Sequence, residues 1–357
     1  MVSGRRRLIR IGVAAAFGVT IASVLGINFL NSRGSNSARQ SQGIIRTNEP
    51  RIIPDVPKDA IPPLTSPVYE GADKTPLRDQ DFIVGYENDG DARAYPIGIM
   101  NWHEIVNETI GGKRVLVTYC PLTYTGMVFD PQIDNLDLTF GNTGALYESN
   151  LVMYDNETNS SWWQVGGMAI DGALKTSRMR LLPSITTTWR DWRRVHPDSQ
   201  VLSRQTGFSR PYDQDHYEGY NKSGGPVFPV SVTDSRRGPK EIIVGLEEGR
   251  TGRAYPLEEI GLDVVIDEVN GKKVAIYSNP SERTGVIFDP LLGDRELDFN
   301  IAEGGFVDND TGSSWNIGGI ATSGPLKGSK LRQIPAFTGF WFAWSTLHPN
   351  SDIYSKS

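Results

Sequence analysis

Two short stretches bring reactive side chains close together in the chain: His103-Glu104-Ile105-Val106-Asn107 and Tyr119-Cys120-Pro121-Leu122-Thr123-Tyr124. An imidazole beside a thiol suits an activated nucleophile, or a site for a soft or borderline ion such as copper or zinc. Neither chemistry needs adjacency in sequence, only approach in space. Cys120 and His103 are the candidate metal ligands; Glu104, Asn107, Tyr119, Thr123 and Gln164 complete the candidate site. The competing reading is structural. Cysteine often packs as a small hydrophobe, and His103 can equally cap a helix or bond a core carbonyl. Cys120 is the only cysteine, which excludes an internal disulfide, a multi-cysteine zinc cage and an iron–sulfur centre within one chain.

These residues need elements to hold them. Lys113 to Tyr119 alternates, with Val115, Val117 and Tyr119 on one face, so a strand is expected that delivers Cys120 at its end. Pro121 forces an extended exit there, and strand ends leading into loops are where a rigid sheet presents chemistry. Gly126–Phe129, Leu136–Phe140 and Leu151–Tyr154 read as further short strands. Helices are expected around Gly98 to Val106, carrying His103, and around Thr187 to Val195, with Trp189 and Trp192 on one face. With 38 glycines and 22 prolines, the fold class is mainly β: an α+β arrangement of many strands, turns and short helices.

The body repeats itself. Ile83-Val84-Gly85 recurs as Ile243-Val244-Gly245, and Arg93-Ala94-Tyr95-Pro96 as Arg253-Ala254-Tyr255-Pro256. Thr125-Gly126 to Asp130-Pro131 recurs as Thr284-Gly285 to Asp289-Pro290. Ser160-Ser161-Trp162 recurs as Ser313-Ser314-Trp315, and Trp189, Trp192 and His196-Pro197 as Trp341, Trp344 and His348-Pro349. Two tandem, pseudo-symmetric copies of one module are therefore expected, over residues 80–203 and 241–357, with a packed linker at 204–240. Residues shared by both copies read as scaffold: the tryptophans as core, His196 and His348 as turn residues, Asp155 and Asp308 as side-chain-bonded turns. The stretches corresponding to the candidate site hold Leu262-Asp263 and Ser278-Asn279-Pro280-Ser281-Glu282-Arg283, so the thiol and His103 belong to one copy only.

Ahead of the body, Arg5, Arg6, Arg7 and Arg10 precede an uncharged run from Ile11 to Leu30. About twenty apolar or small residues suffice to span a bilayer, and the arginines should stay cytoplasmic. Residues 1–30 thus read as a single-pass signal anchor in the cytoplasmic membrane, with the body on the extracytoplasmic side. Cleavage near Val24-Leu25-Gly26 and secretion is the alternative. Residues 31–79 are polar and then proline-rich, and read as a tether. The net charge of −6 argues against a general nucleic-acid partner.

Tyr95-Pro96, His103 to Asn107, Thr118-Tyr119-Cys120-Pro121-Leu122, Leu138-Thr139-Phe140-Gly141, Leu151 to Asp155, Ser161-Trp162 with Gln164, and Thr311 to Trp315 carry a resemblance. They are similar to domain-of-unknown-function family 3179, over nearly everything after residue 80. The resemblance implies an exported prokaryotic protein and names no reaction. Many members read Cys-Pro-Leu-Cys, whereas Thr123 stands in the second place here, which weakens a metal or thiol–disulfide role. Two functions follow as expectations. One is a soft-metal, thiol or small-ligand site around Cys120 and His103. The other is a non-catalytic binding or assembly module that holds a protein, peptide or glycan in a cleft between the copies. No Gly-x-Ser-x-Gly elbow, His-Glu-x-x-His helix or phosphate-cradling loop supports a hydrolase.

Overall fold

The computed structural model describes residues 43–47, 49–248 and 251–356, which fall within one compact unit. The expected membrane segment at 1–30 and the start of the tether lie outside the described residues. Among the described residues no helix is long and apolar enough to cross a membrane.

Short strands dominate, and the described helices have seven residues or fewer. The first half runs β1 (Phe82–Asn88), β2 (Asp91–Pro96), α1 (Ile97–His103), β3 (Ile105–Ile110), β4 (Lys113–Cys120) and β5 (Thr125–Asp130). It continues with β6 (Phe140–Tyr147), β7 (Asn150–Asp155), β8 (Ser161–Trp163), β9 (Ile185–Thr188), α2 (Trp189–Val195) and β10 (Gln200–Leu202). One sheet orders β9-β1-β2-β10, with β10 parallel to β2; a second orders Arg180–Leu182, β5, β4, β3; a third places β8, β7 and β6 side by side. In the second half, Phe337–Phe340, Ile242–Glu248, Thr251–Pro256 and Asp352–Ile353 follow the order of the first sheet, again with a parallel last pair. Asp263–Val269, Lys272–Asn279, Thr284–Asp289 and Arg332–Ile334 follow the second, and Phe299–Ala302, Gly305–Asp308 and Ser314–Asn316 the third.

The expected strand over Lys113–Tyr119 forms and takes in Cys120. The expected helix over Gly98–Val106 stops at His103, because Glu104 turns into the left-handed region at φ 56° and starts β3. Residues 43–79 are not a free tether. Ile44–Arg46 pairs with Val232–Asp234, Ile52–Pro54 lies along β6, and Tyr69–Gly71 extends the first sheet beyond β10. Leu64 is buried and exchanges backbone hydrogen bonds with Ile105 and Asn107. The prolines that suggested an extended spacer are equally at home in edge strands, where a missing donor faces outward.

The halves share a core. One apolar cluster joins Tyr95, Val117, Cys120, Tyr124 and Phe140 to Ile243, Phe337, Phe340 and Trp341. Tyr124 stacks on Phe340 at 5.6 Å, the Phe340 N–H donates to the Thr123 carbonyl at 2.9 Å, and the Thr284 and Thr187 hydroxyls bond at 2.8 Å. These contacts tie the two halves together.

Candidate functional site

The α1–β3 corner sets the geometry. The Glu104 N–H caps α1 on Met100 O and its carbonyl accepts from the Tyr119 N–H, both at 2.8 Å. A left-handed glutamate costs of order 1–2 kcal/mol, so the corner is held by its surroundings. The side chain is 6% exposed, and Oε2 accepts from Asn142 Nδ2 at 2.8 Å. Burial pushes this carboxyl up to about 8, the Asn142 bond offsetting part of the rise, so it stays protonated at neutral pH.

Cys120 ends β4 at 1% exposure. Burial, then the charge of Glu104, pushes its thiol up to about 11, against weaker opposing bonds from Thr123 and the Leu151 backbone. A neutral buried thiol is neither an activated nucleophile nor a ready metal ligand.

His103 does not supply the missing base. Its ring is buried, with Nδ1 2.8 Å from the Pro62 carbonyl and Nε2 2.8 Å from the Tyr212 hydroxyl. Burial lowers its pKa, favouring the neutral ring. A carbonyl can only accept, so Nδ1 carries the proton and Nε2 accepts from Tyr212, whose hydroxyl in turn meets Thr206 Oγ1 at 2.5 Å. Neither nitrogen has a lone pair left for an ion. Among the described residues, no group of three or more His, Cys, Asp or Glu side chains could hold a metal. Neither Cys120 nor His103, the expected ligands for copper or zinc, belongs to such a group among the described residues.

The other candidates are also spent internally. Asn107 bonds both ways with the Phe140 backbone, at 2.9 and 2.8 Å, and ties β3 to β6. Gln164 donates to Thr118 Oγ1 and accepts from Thr125 Oγ1 and Asn150 Nδ2, at 2.8–2.9 Å. Thr123 Oγ1 meets both Thr125 Oγ1 and Asn150 Nδ2. These side chains are completely buried and paired, so the network fixes the Cys120 loop onto β5, β7 and β8. Tyr119, 2% exposed, packs edge-on to Tyr124 at 6.1 Å. At the position of Cys120 the second half has Asn279, whose Oδ1 caps a short 3-10 turn.

An open concavity lies elsewhere on the same helix. A groove of about 530 Å³ lies between α1, residues 75–82 and residues 212–215, lined among others by Phe82, Ile99, Leu202, Tyr212 and Glu70. Two of its lining residues, Asn101 and Thr75, hold side-chain oxygens, Oδ1 and Oγ1, that are buried without a partner among the described residues. Ion pairs stand at the rim, Arg78–Asp81 at 2.7 Å and Arg204–Asp213 at 2.9 Å. Sequence reasoning missed these residues. Asn101 sits two positions before His103 in a stretch that gives no sign of which amide ends up buried. Tyr212 stood out only as one of several aromatics in the linker.

No curated protein and no solved structure matches the chain. A family described as "Protein of unknown function (DUF3179)" matches residues 58–351, most of the chain and nearly all of the compact unit. That span takes in α1, the Cys120 loop, the groove and the second half, so the chain belongs to the DUF3179 family.

Proposed function

We propose that this protein is a non-catalytic binding module that works outside the cytoplasmic membrane and takes a small ligand in the groove beside α1. The arginine cluster followed by the uncharged Ile11–Leu30 run supports the location and a single-pass anchor. The matching segments and the recurring strand order support a module present in two copies, of which the first carries the groove. One observation carries the binding reading. Where the residues peculiar to the first half are paired internally, the groove-lining residues Asn101 and Thr75 hold Oδ1 and Oγ1 buried without partners among the described residues. Buried polar atoms are almost always bonded, and an unmet one costs about 1–3 kcal/mol unless something supplies the bond. A thiol or metal site at Cys120 lacks comparable support, since its thiol is held neutral and His103 is fully engaged.

The test is a thermal-shift panel on the full chain in detergent, using small amines, carboxylates, sugars and short peptides. At least one class should raise the melting temperature by a few degrees at saturating concentration, and Asn101→Leu should abolish the rise. A rise that survives Asn101→Leu, or none across the panel, contradicts the reading.

A further inference from the structure

We infer that the groove selects an organic cation, a primary ammonium on an apolar body; this rests on the binding reading above. The two unmet groups set the polarity. Asn101, 8% exposed, offers its carbonyl oxygen Oδ1, which accepts and cannot donate, and the Thr75 hydroxyl can accept as well. Glu70 adds a half-buried carboxylate to the same lining, without an ion pair among the described residues. An ammonium presents three donors and no acceptor, which matches such a set.

Charge points the same way. Both arginines of the groove are committed to their own carboxylates, Arg78 to Asp81 and Arg204 to Asp213, so neither is free to hold an anion. Glu70 and Asp215 line it as carboxylates with no cationic partner among the described residues, although Asp215 Oδ1 accepts the Tyr217 backbone N–H at 2.9 Å. A carboxylate or phosphate ligand would meet like charge and, at Asn101 Oδ1, an acceptor that cannot bond to it, whereas a cation would gain from both. Among the polar lining residues, Phe82, Leu202 and Ile99 add apolar wall, so the ligand should carry an alkyl or aryl body rather than be a bare inorganic ion.

The experiment is calorimetric titration of the full chain in detergent with 2-phenylethylammonium, 2-phenylethanol and 3-phenylpropanoate, with sodium and magnesium chloride as inorganic controls. The ammonium should bind about tenfold or more tightly than the alcohol, and the carboxylate should not bind. Asn101→Leu should weaken the ammonium about tenfold or more, and Glu70→Gln, a half-buried substitution that leaves the core intact, about threefold or more. Should Asn101→Leu fold poorly, the Glu70→Gln result and its salt dependence decide. If the alcohol or carboxylate binds as tightly as the ammonium and Asn101→Leu still abolishes it, the groove stands and the cation assignment falls. If the ammonium binds equally to wild type and both variants, or if no probe binds wild type, the groove reading falls with it.

Discussion

Glu104 does two unlike things with one residue: its backbone turns the chain left-handed to end α1, and its side chain goes into the interior as a neutral acid. An acid whose folded pKa lies near 8, against about 4.3 unfolded, is protonated in the native state across a window where the unfolded chain has lost its proton. Stability from this group therefore falls as pH rises from about 4.5 to about 8 and is level beyond. Glu104→Gln keeps an acceptor for Asn142 and removes the titration. Denaturant melts should show it more stable at pH 7, by up to about 3 kcal/mol, with a flatter profile between pH 4.5 and 8. An unchanged slope would mean that the carboxyl is ionised in the fold. The sequence located Glu104, Cys120 and His103 as residues peculiar to the first half, and the Glu104 carbonyl accepts from the N–H of Tyr119, beside Cys120. Their roles were not legible, because role depends on partners 41 and 109 residues away from His103, Pro62 and Tyr212. No local spacing encodes such contacts.

At the scale of elements, each half builds one corner the same way. Trp192 Nε1 donates to Ser199 Oγ at 3.1 Å with the His196 ring 4.4 Å away; Trp344 Nε1 donates to Ser351 Oγ at 2.9 Å with the His348 ring 4.3 Å away. Under each indole lies a glycine, Gly85 in β1 and Gly245 in Ile242–Glu248, where an added Cβ would overlap the ring. Gly85→Ala and Gly245→Ala should each cost about 1–3 kcal/mol or more, read from denaturant melts, as overpacking a close-packed contact does. A neutral alanine at either position would show that the indoles can move. This much was readable beforehand: tryptophans three apart on a short helix before His-Pro pointed to packing, and Asp155 and Asp308 do gather the Thr158, Ser160, Thr311 and Ser313 backbone into tight turns while accepting from Trp162 and Trp315 Nε1. Helix ends were harder. Nothing in Ile105-Val106 distinguishes a continuing helix from a strand until the β4 ladder claims them.

At the scale of the molecule, the apolar cluster running from Tyr95 to Trp341 makes the two halves one folding unit, and residues 43–79 belong to it. A chain beginning at residue 80 would leave β6 without Ile52–Pro54, β10 without Tyr69–Gly71, and Leu64 missing from the core. It should melt at least several degrees lower and expose unpaired strand edges; an unchanged melt would show that the segment only decorates the surface. Composition made the β class legible. The docking of 43–79 was not, since extended proline-rich chain looks the same whether solvated or laid along a sheet edge. We propose that recognition lies in the groove at Asn101 while the thiol corner is structural. The most direct test is the melting-temperature rise with 2-phenylethylammonium in three forms of the full chain: wild type, Cys120→Ser and Asn101→Leu. The account predicts equal rises for wild type and Cys120→Ser and none for Asn101→Leu; loss of the rise in Cys120→Ser with Asn101→Leu unaffected would contradict it.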